Sequence, residues 1–153
     1  MKERVQHYKN IILVDDDSDD RALFTEAVNF VDPTINVITR SDGEHLMEFL
    51  ENDPGMFELI FLDLNMPRKN GKECLTEIRA NKKLSNIPVI VYTTSLNPVD
   101  IEETYNLGAR FFLRKPSSFE ELKETLAVVL DAKFAAAEKT RDNFVVGKKL
   151  VMA

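Results

Sequence analysis

Four places in the chain carry side chains suited to phosphoryl chemistry, and each stands at the end of an apolar run. Asp15-Asp16-Asp17-Ser18-Asp19-Asp20 follows Ile11-Ile12-Leu13-Val14, and Asp63 follows Leu59-Ile60-Phe61-Leu62. Thr93-Thr94-Ser95 ends Val89-Ile90-Val91-Tyr92, and Lys115-Pro116 ends the stretch from Ala109 to Arg114. Carboxylates crowded together repel one another, and a divalent cation with oxygen ligands relieves the repulsion. Mg2+ suits Asp15, Asp16 and Asp63, because its octahedral shell takes few carboxylates and leaves room for a phosphoryl oxygen. Lys115 adds a second positive charge, Asp63 is placed to attack phosphorus, and Thr93 can hydrogen-bond one of the transferred oxygens.

That chemistry requires the four places to meet, so the elements that carry them matter. Short apolar runs bounded by turn residues read as strands buried on both faces of a parallel sheet. Helical spacing separates them: Leu23, Phe24, Ala27, Val28 and Val31 after a start capped by Ser18 or Asp19, then Leu46, Phe49 and Leu50 after Ser41-Asp42-Gly43. Asn36 to Arg40 is a weaker strand between these two helices. Lys72 to Ala80 carries Cys74, Leu75 and Ile78 on one face, after an Asn70-Gly71 pair that tolerates positive φ. Asn97-Pro98 opens a helix closed by Leu107-Gly108, and Ser117-Ser118 opens another with Leu122, Leu126 and Val129 inward. The alternation predicts an α/β fold, a doubly wound five-stranded parallel sheet with five helices and right-handed crossovers. In such sheets ligands bind outside the carboxyl ends of the strands, where all four chemical groups fall.

The 153 residues, 44% hydrophobic and 30% charged, form one domain with a sizeable core. A net charge of −6 without a basic patch disfavours a nucleic-acid surface, so DNA is not the expected direct partner. No apolar run reaches membrane-spanning length and the first ten residues lack a signal core, so the expected location is cytoplasmic, with no membrane partner. Cys74 is alone and reads as a buried thiol, while His7 and His45 read as exposed side chains without a ligand pattern.

From Ile11 to about Val129 the chain resembles a receiver domain of two-component response regulators, with the flavodoxin-like fold that implies. The resemblance rests on Val14-Asp15-Asp16, on Leu62-Asp63-Leu64-Asn65-Met66-Pro67 followed by Gly71, on Pro88 to Thr93, and on Gly108-Ala109 followed by Leu113-Arg114-Lys115-Pro116. It implies that Asp63 is the phosphoacceptor, that Asp16 and Asp63 bind Mg2+ with the Asn65 carbonyl, and that Asp15 holds a metal water. It further implies that Thr93 and Phe112 form a switch pair, that Lys115 contacts the phosphoryl group, and that the bond before Pro116 is cis. A sensor histidine kinase or phosphotransfer protein is the implied partner, and the role is a switch rather than a metabolic enzyme. Asp19-Asp20 and Thr93-Thr94-Ser95 resemble the stand-alone receivers that serve bacterial phytochromes and related kinases. The competing resemblance is to haloacid-dehalogenase-type phosphatases, with Asp15 as nucleophile and Asp17 as acid and base. It lacks magnesium-binding acids after the lysine and room for a cap.

Beyond a receiver spanning 1–135, residues 136–153 form a C-terminal extension. Leu130, Phe134, Phe144, Val145, Val146, Leu150 and Val151 are apolar residues beyond or beside what the core needs. They suggest a homodimer through the face built by the fourth helix, fifth strand and fifth helix, where Ile101 and Tyr105 stand.

Overall fold

The structure, a computed structural model, describes residues 8–147; His7, Leu150 and Val151 lie outside the described residues. Strands β1 (Asn10–Val14), β2 (Asn36–Arg40), β3 (Leu59–Leu62), β4 (Val89–Thr93) and β5 (Phe111–Arg114) alternate with helices α1 (Ser18–Val31), α2 (Leu46–Asn52), α3 (Gly71–Ala80), α4 (Pro98–Asn106) and α5 (Phe119–Val129). Three short elements follow: α6 (Ala132–Ala136), α7 (Arg141–Phe144) and β6 (Val145–Val146). All pairings are parallel, in the order β2-β1-β3-β4-β5-β6.

Among the described residues the sheet therefore has six strands where five were expected, and seven helices stand where five were expected. The extra strand pairs Val145 with Phe112 and Val146 with Leu113. Without it β5 would be an apolar strand with its backbone unpaired on one side, and the extension covers that edge. Helix α6 straddles the boundary expected at residue 135.

Strand alternation sorts the core into two layers. Ile12, Val14, Ile60, Leu62, Val89, Val91 and Phe112 face Leu46, Leu75, Ile78 and Phe144 on one side of the sheet. Ile11, Leu13, Phe61, Ile90, Phe111 and Leu113 face Phe24, Val28, Leu122 and Leu126, from α1 and α5, on the other. Cys74 is buried as expected, and burial pushes its thiol up to about 11.

Several caps differ from expectation in ways that position the site. Asp17, not Ser18 or Asp19, caps α1 by accepting from the Asp20 amide at 2.9 Å. Asp42 accepts from the Glu44 amide, and α2 begins later, at Leu46. Gly71 is not a positive-φ residue; that conformation belongs to Arg68 (φ 66°). Asn70 caps α3 in a reciprocal pair with Glu73, and Gly71 is required because a Cβ there would lie 2.3 Å from the Asp63 carbonyl oxygen. Gly108 has the left-handed φ of 96° expected after α4.

Candidate functional site

The carboxyl ends of β1, β3, β4 and β5 bring together the residues singled out in the sequence. Carboxylate oxygens of Asp15, Asp16 and Asp63 lie within 4.8 Å of one another. Asp15 is fully buried and Asp63 only 4% exposed, whereas Asp16 faces solvent. Lys115 Nζ reaches across from β5 to Asp15 Oδ2 at 2.8 Å, Asp20 Oδ2 at 2.7 Å and Asp63 Oδ2 at 3.5 Å. The contact to Asp15 Oδ2 is an ion pair without hydrogen-bond alignment, which leaves that buried oxygen short of a donor.

Burial raises Asp15, with Lys115 opposing the rise. Burial also pushes Asp63 up to about 6; Lys115 works against this, and the Asp15 and Asp16 charges add to it. For Lys115 burial acts to lower the pKa, but the carboxylates of Asp15, Asp20 and Asp63 around it outweigh burial and hold the ammonium above its ordinary value. A buried acid pair with one oxygen lacking a donor, next to a solvent-facing third acid, fits an oxygen-seeking divalent cation.

The remaining site residues are placed less symmetrically. The Asn65 amide donates to Asp63 Oδ1 at 3.3 Å, so Asp63 Oδ2 is the oxygen that faces Lys115. Thr93 is fully buried, its hydroxyl accepting from the Ser95 amide at 3.4 Å. Ser95 Oγ donates to Asp100 Oδ2 at 2.8 Å, and Lys72 ties Asp100 to α3 at 2.6 Å. Phe112 lies two register positions below Thr93 on the same face, opposite Val91, and is fully buried. Its ring centroid lies 6.2 Å from that of Phe144.

One implied feature is corrected. No peptide bond among the described residues is cis, so Lys115–Pro116 is trans, the isomer favoured by about 0.5–1 kcal/mol before proline. Lys115 reaches the acids with its bond in that form. Asp20, which was not among the site residues expected from the sequence, also belongs to this cluster through Lys115. The signal was its position in the first turn of α1, where an acid next to the Asp15 strand end can reach back to the lysine.

An acid cluster at the carboxyl edge of a flavodoxin-like parallel sheet is the plan of a signal receiver. Residues 11–127 match the response regulator receiver domain, and the chain belongs to that family. It is 38% identical over 120 residues to response regulator Rcp1 of Synechocystis sp., covering 74% of this chain and 81% of that protein. Among solved structures it resembles the phosphorylated cyanobacterial phytochrome response regulator RcpA, with a TM-score of 0.75, 32% identity, and coverage of 86% and 97% of the two chains. It also resembles the Mn2+-bound form of Rcp1, with a TM-score of 0.73, 33% identity, and coverage of 86% and 99%. The chain is thus a two-component receiver acting as a signalling switch, and the phosphatase reading gains no support. Among the described residues, no helix is long and apolar enough to cross a membrane.

Proposed function

We propose that Asp63 accepts a phosphoryl group from a sensor histidine kinase or phosphotransfer protein. Mg2+ would be held by Asp15, Asp16, Asp63 and the Asn65 carbonyl. The observation that carries this reading is the meeting of Asp63 Oδ2 with Lys115 Nζ beside two further acids. When bound, Mg2+ neutralises charge on the transferring oxygens. Asn65 holds Asp63 Oδ1, which orients Oδ2 outward for attack; the new O–P bond forms as the donor's N–P bond breaks and the imidazole leaves. Lys115 stays protonated throughout, and its charge supports both the carboxylate and the acyl phosphate. Work of this kind belongs in the cytoplasm, without nucleic acid or membrane as a direct partner. The full chain with acetyl phosphate and Mg2+ should gain one phosphoryl group per molecule; continuous phosphate release from a generic phosphomonoester, with no labelled protein, would overturn the reading.

The phosphorylated state reports through Thr93 and Phe112 to the face built by α4, β5 and α5. This chain's own extension already lies there: Phe144 packs edge-on against Tyr105 at 5.0 Å, and Arg141 pairs with Glu102 at 2.5 Å. A symmetric homodimer through this face therefore includes the outer surface of the extension. Sedimentation of the full chain with beryllofluoride and Mg2+ should show a dimer strengthened relative to the untreated chain; monomer under both conditions would sink the dimer.

A further inference from the structure

At the amino-terminal edge of the sheet, remote from the acid cluster, a cavity of about 470 Å3 opens between the domain and its extension. Three lining residues are cations from separate segments: Arg79 in the last turn of α3, Arg110 just before β5, and Lys139 between α6 and α7. Their hydrogen bonds all go to backbone carbonyls. Arg79 donates Nε to Gly108, Nη1 to Ser85 and Nη2 to Ile87. Arg110 Nη2 donates to Ala135 and Ala137, and Lys139 Nζ donates to Tyr105. Arg110 Nη1 is buried without a hydrogen-bond partner, and the guanidinium lies over the Phe111 ring, 4.2 Å from its centroid.

This differs from the treatment of cations elsewhere in an acidic chain. Arg68, Lys72, Lys115 and Arg141 each face one or more carboxylates. Among the described residues none reaches Arg79, Arg110 or Lys139 as an ion pair. Glu58, the acid beside Tyr8, spends Oε1 on the Lys9 and Asn10 amides and does not line the cavity. Burial lowers the pKa of all three cations, and Arg110 and Arg79 together lower Lys139 further. Like charges gathered around one cavity repel one another, and burial makes that repulsion more costly. An oxyanion held among the three cations offsets their mutual repulsion, and arginine suits phosphate in particular.

The rest of the wall narrows the class. Ser85 and Asn86 line the mouth with hydrogen-bonding side chains, while Leu59, Ile90, Phe111 and Val129 supply an apolar floor. The geometry points to a site for a small phosphate monoester with a compact apolar body, its phosphate between Arg110 and Lys139 and its body on the floor. Because the Ala135 and Ala137 carbonyls and Lys139 belong to the region of the extension, occupancy of the site and docking of that segment favour each other.

The test uses phenyl phosphate as probe on the full chain, in buffer with EDTA so that the acid cluster takes no part. Amide resonances of Ser85, Arg110, Phe111 and Lys139 should shift and saturate. Arg110→Gln should abolish the saturation, and Lys139→Gln should weaken binding by roughly tenfold. Inorganic phosphate should bind the same residues more weakly, since it leaves the apolar floor uncovered. Absence of saturation, shifts that survive Arg110→Gln, or inorganic phosphate binding as tightly as phenyl phosphate would overturn the proposal. If Arg110→Gln loses the fold, the Lys139→Gln titration decides, and unchanged affinity there refutes the site. Asp63 plays no part in these readouts, so their failure is distinct from failure of the phosphoacceptor reading.

Discussion

Asp63→Asn should abolish labelling by acetyl phosphate and, in the absence of metal, stabilise the chain at neutral pH. The first effect follows from chemistry, since an amide oxygen is a poor nucleophile toward phosphorus and Asp63 Oδ2 is the carboxylate oxygen facing Lys115. The second follows from burial. In the folded chain Asp63 titrates at about 6 instead of 3.8, so between those values the folded state binds more protons than the unfolded state. Stability from this group is therefore intact below about pH 3.8 and is lost as pH rises through about 6. The displacement corresponds to roughly 2–3 kcal/mol above pH 6. Asn has no charge to desolvate, so the variant should unfold at a higher temperature than wild type at pH 7.5 with EDTA, and the gap should close as pH falls toward 4. Mg2+ should reverse the order, because the variant lacks one of its ligands. Undiminished labelling would mean the acceptor is misassigned; lower stability of the variant with EDTA would mean that Asp63 is held by the fold in a way that its burial and its acid neighbours do not reveal.

The meeting of Asp15, Asp63, Thr93 and Lys115 was legible because buried parallel strands leave a plain mark, an apolar run that stops at its carboxyl end. Four such stops carrying complementary chemistry point to one sheet edge. Asp20 was not legible as a site residue, since the same acid serves equally well as a favourable charge at a helix start, and only the fold shows that its turn overhangs Lys115. Gly71 was read for its backbone freedom, but its function is close approach to the Asp63 carbonyl, a distance set by how α3 docks against β3. The trans bond at Pro116 departs from an implied family feature that no local pattern in the chain specifies. The extension was the hardest part. Its apolar residues were recognised as needing cover, yet periodicity in so short a stretch does not say whether that cover is the chain itself or a second copy, and the unpaired edge of β5 supplied the answer.

Phe144→Ala should release the extension without unfolding the domain. Phe144 is fully buried between Tyr105 and Phe112, at 5.0 and 6.2 Å between ring centroids, and its loss would ordinarily cost about 3–5 kcal/mol. The other ties are weaker. Arg141 and Glu102 are both more than half exposed as side chains, so solvent screens their ion pair, and β6 adds only two residues to the ladder. A segment held by one large ring, a two-residue ladder and a few hydrogen bonds can avoid the full cavity cost by undocking, so the loss in global stability is capped at the free energy of docking. Val145 and Val146 amides should therefore exchange much faster in the variant, while Ile12, Ile60 and Val91 keep their protection. Undocking also uncovers Phe112, the aromatic implied in switching, and so tests whether the extension restrains it: beryllofluoride with Mg2+ should produce larger shifts at Phe112 and Tyr105 in the variant than in wild type. Unchanged protection at Val145 and Val146 would show that the β6 pairing, and not the Phe144 ring, anchors the extension.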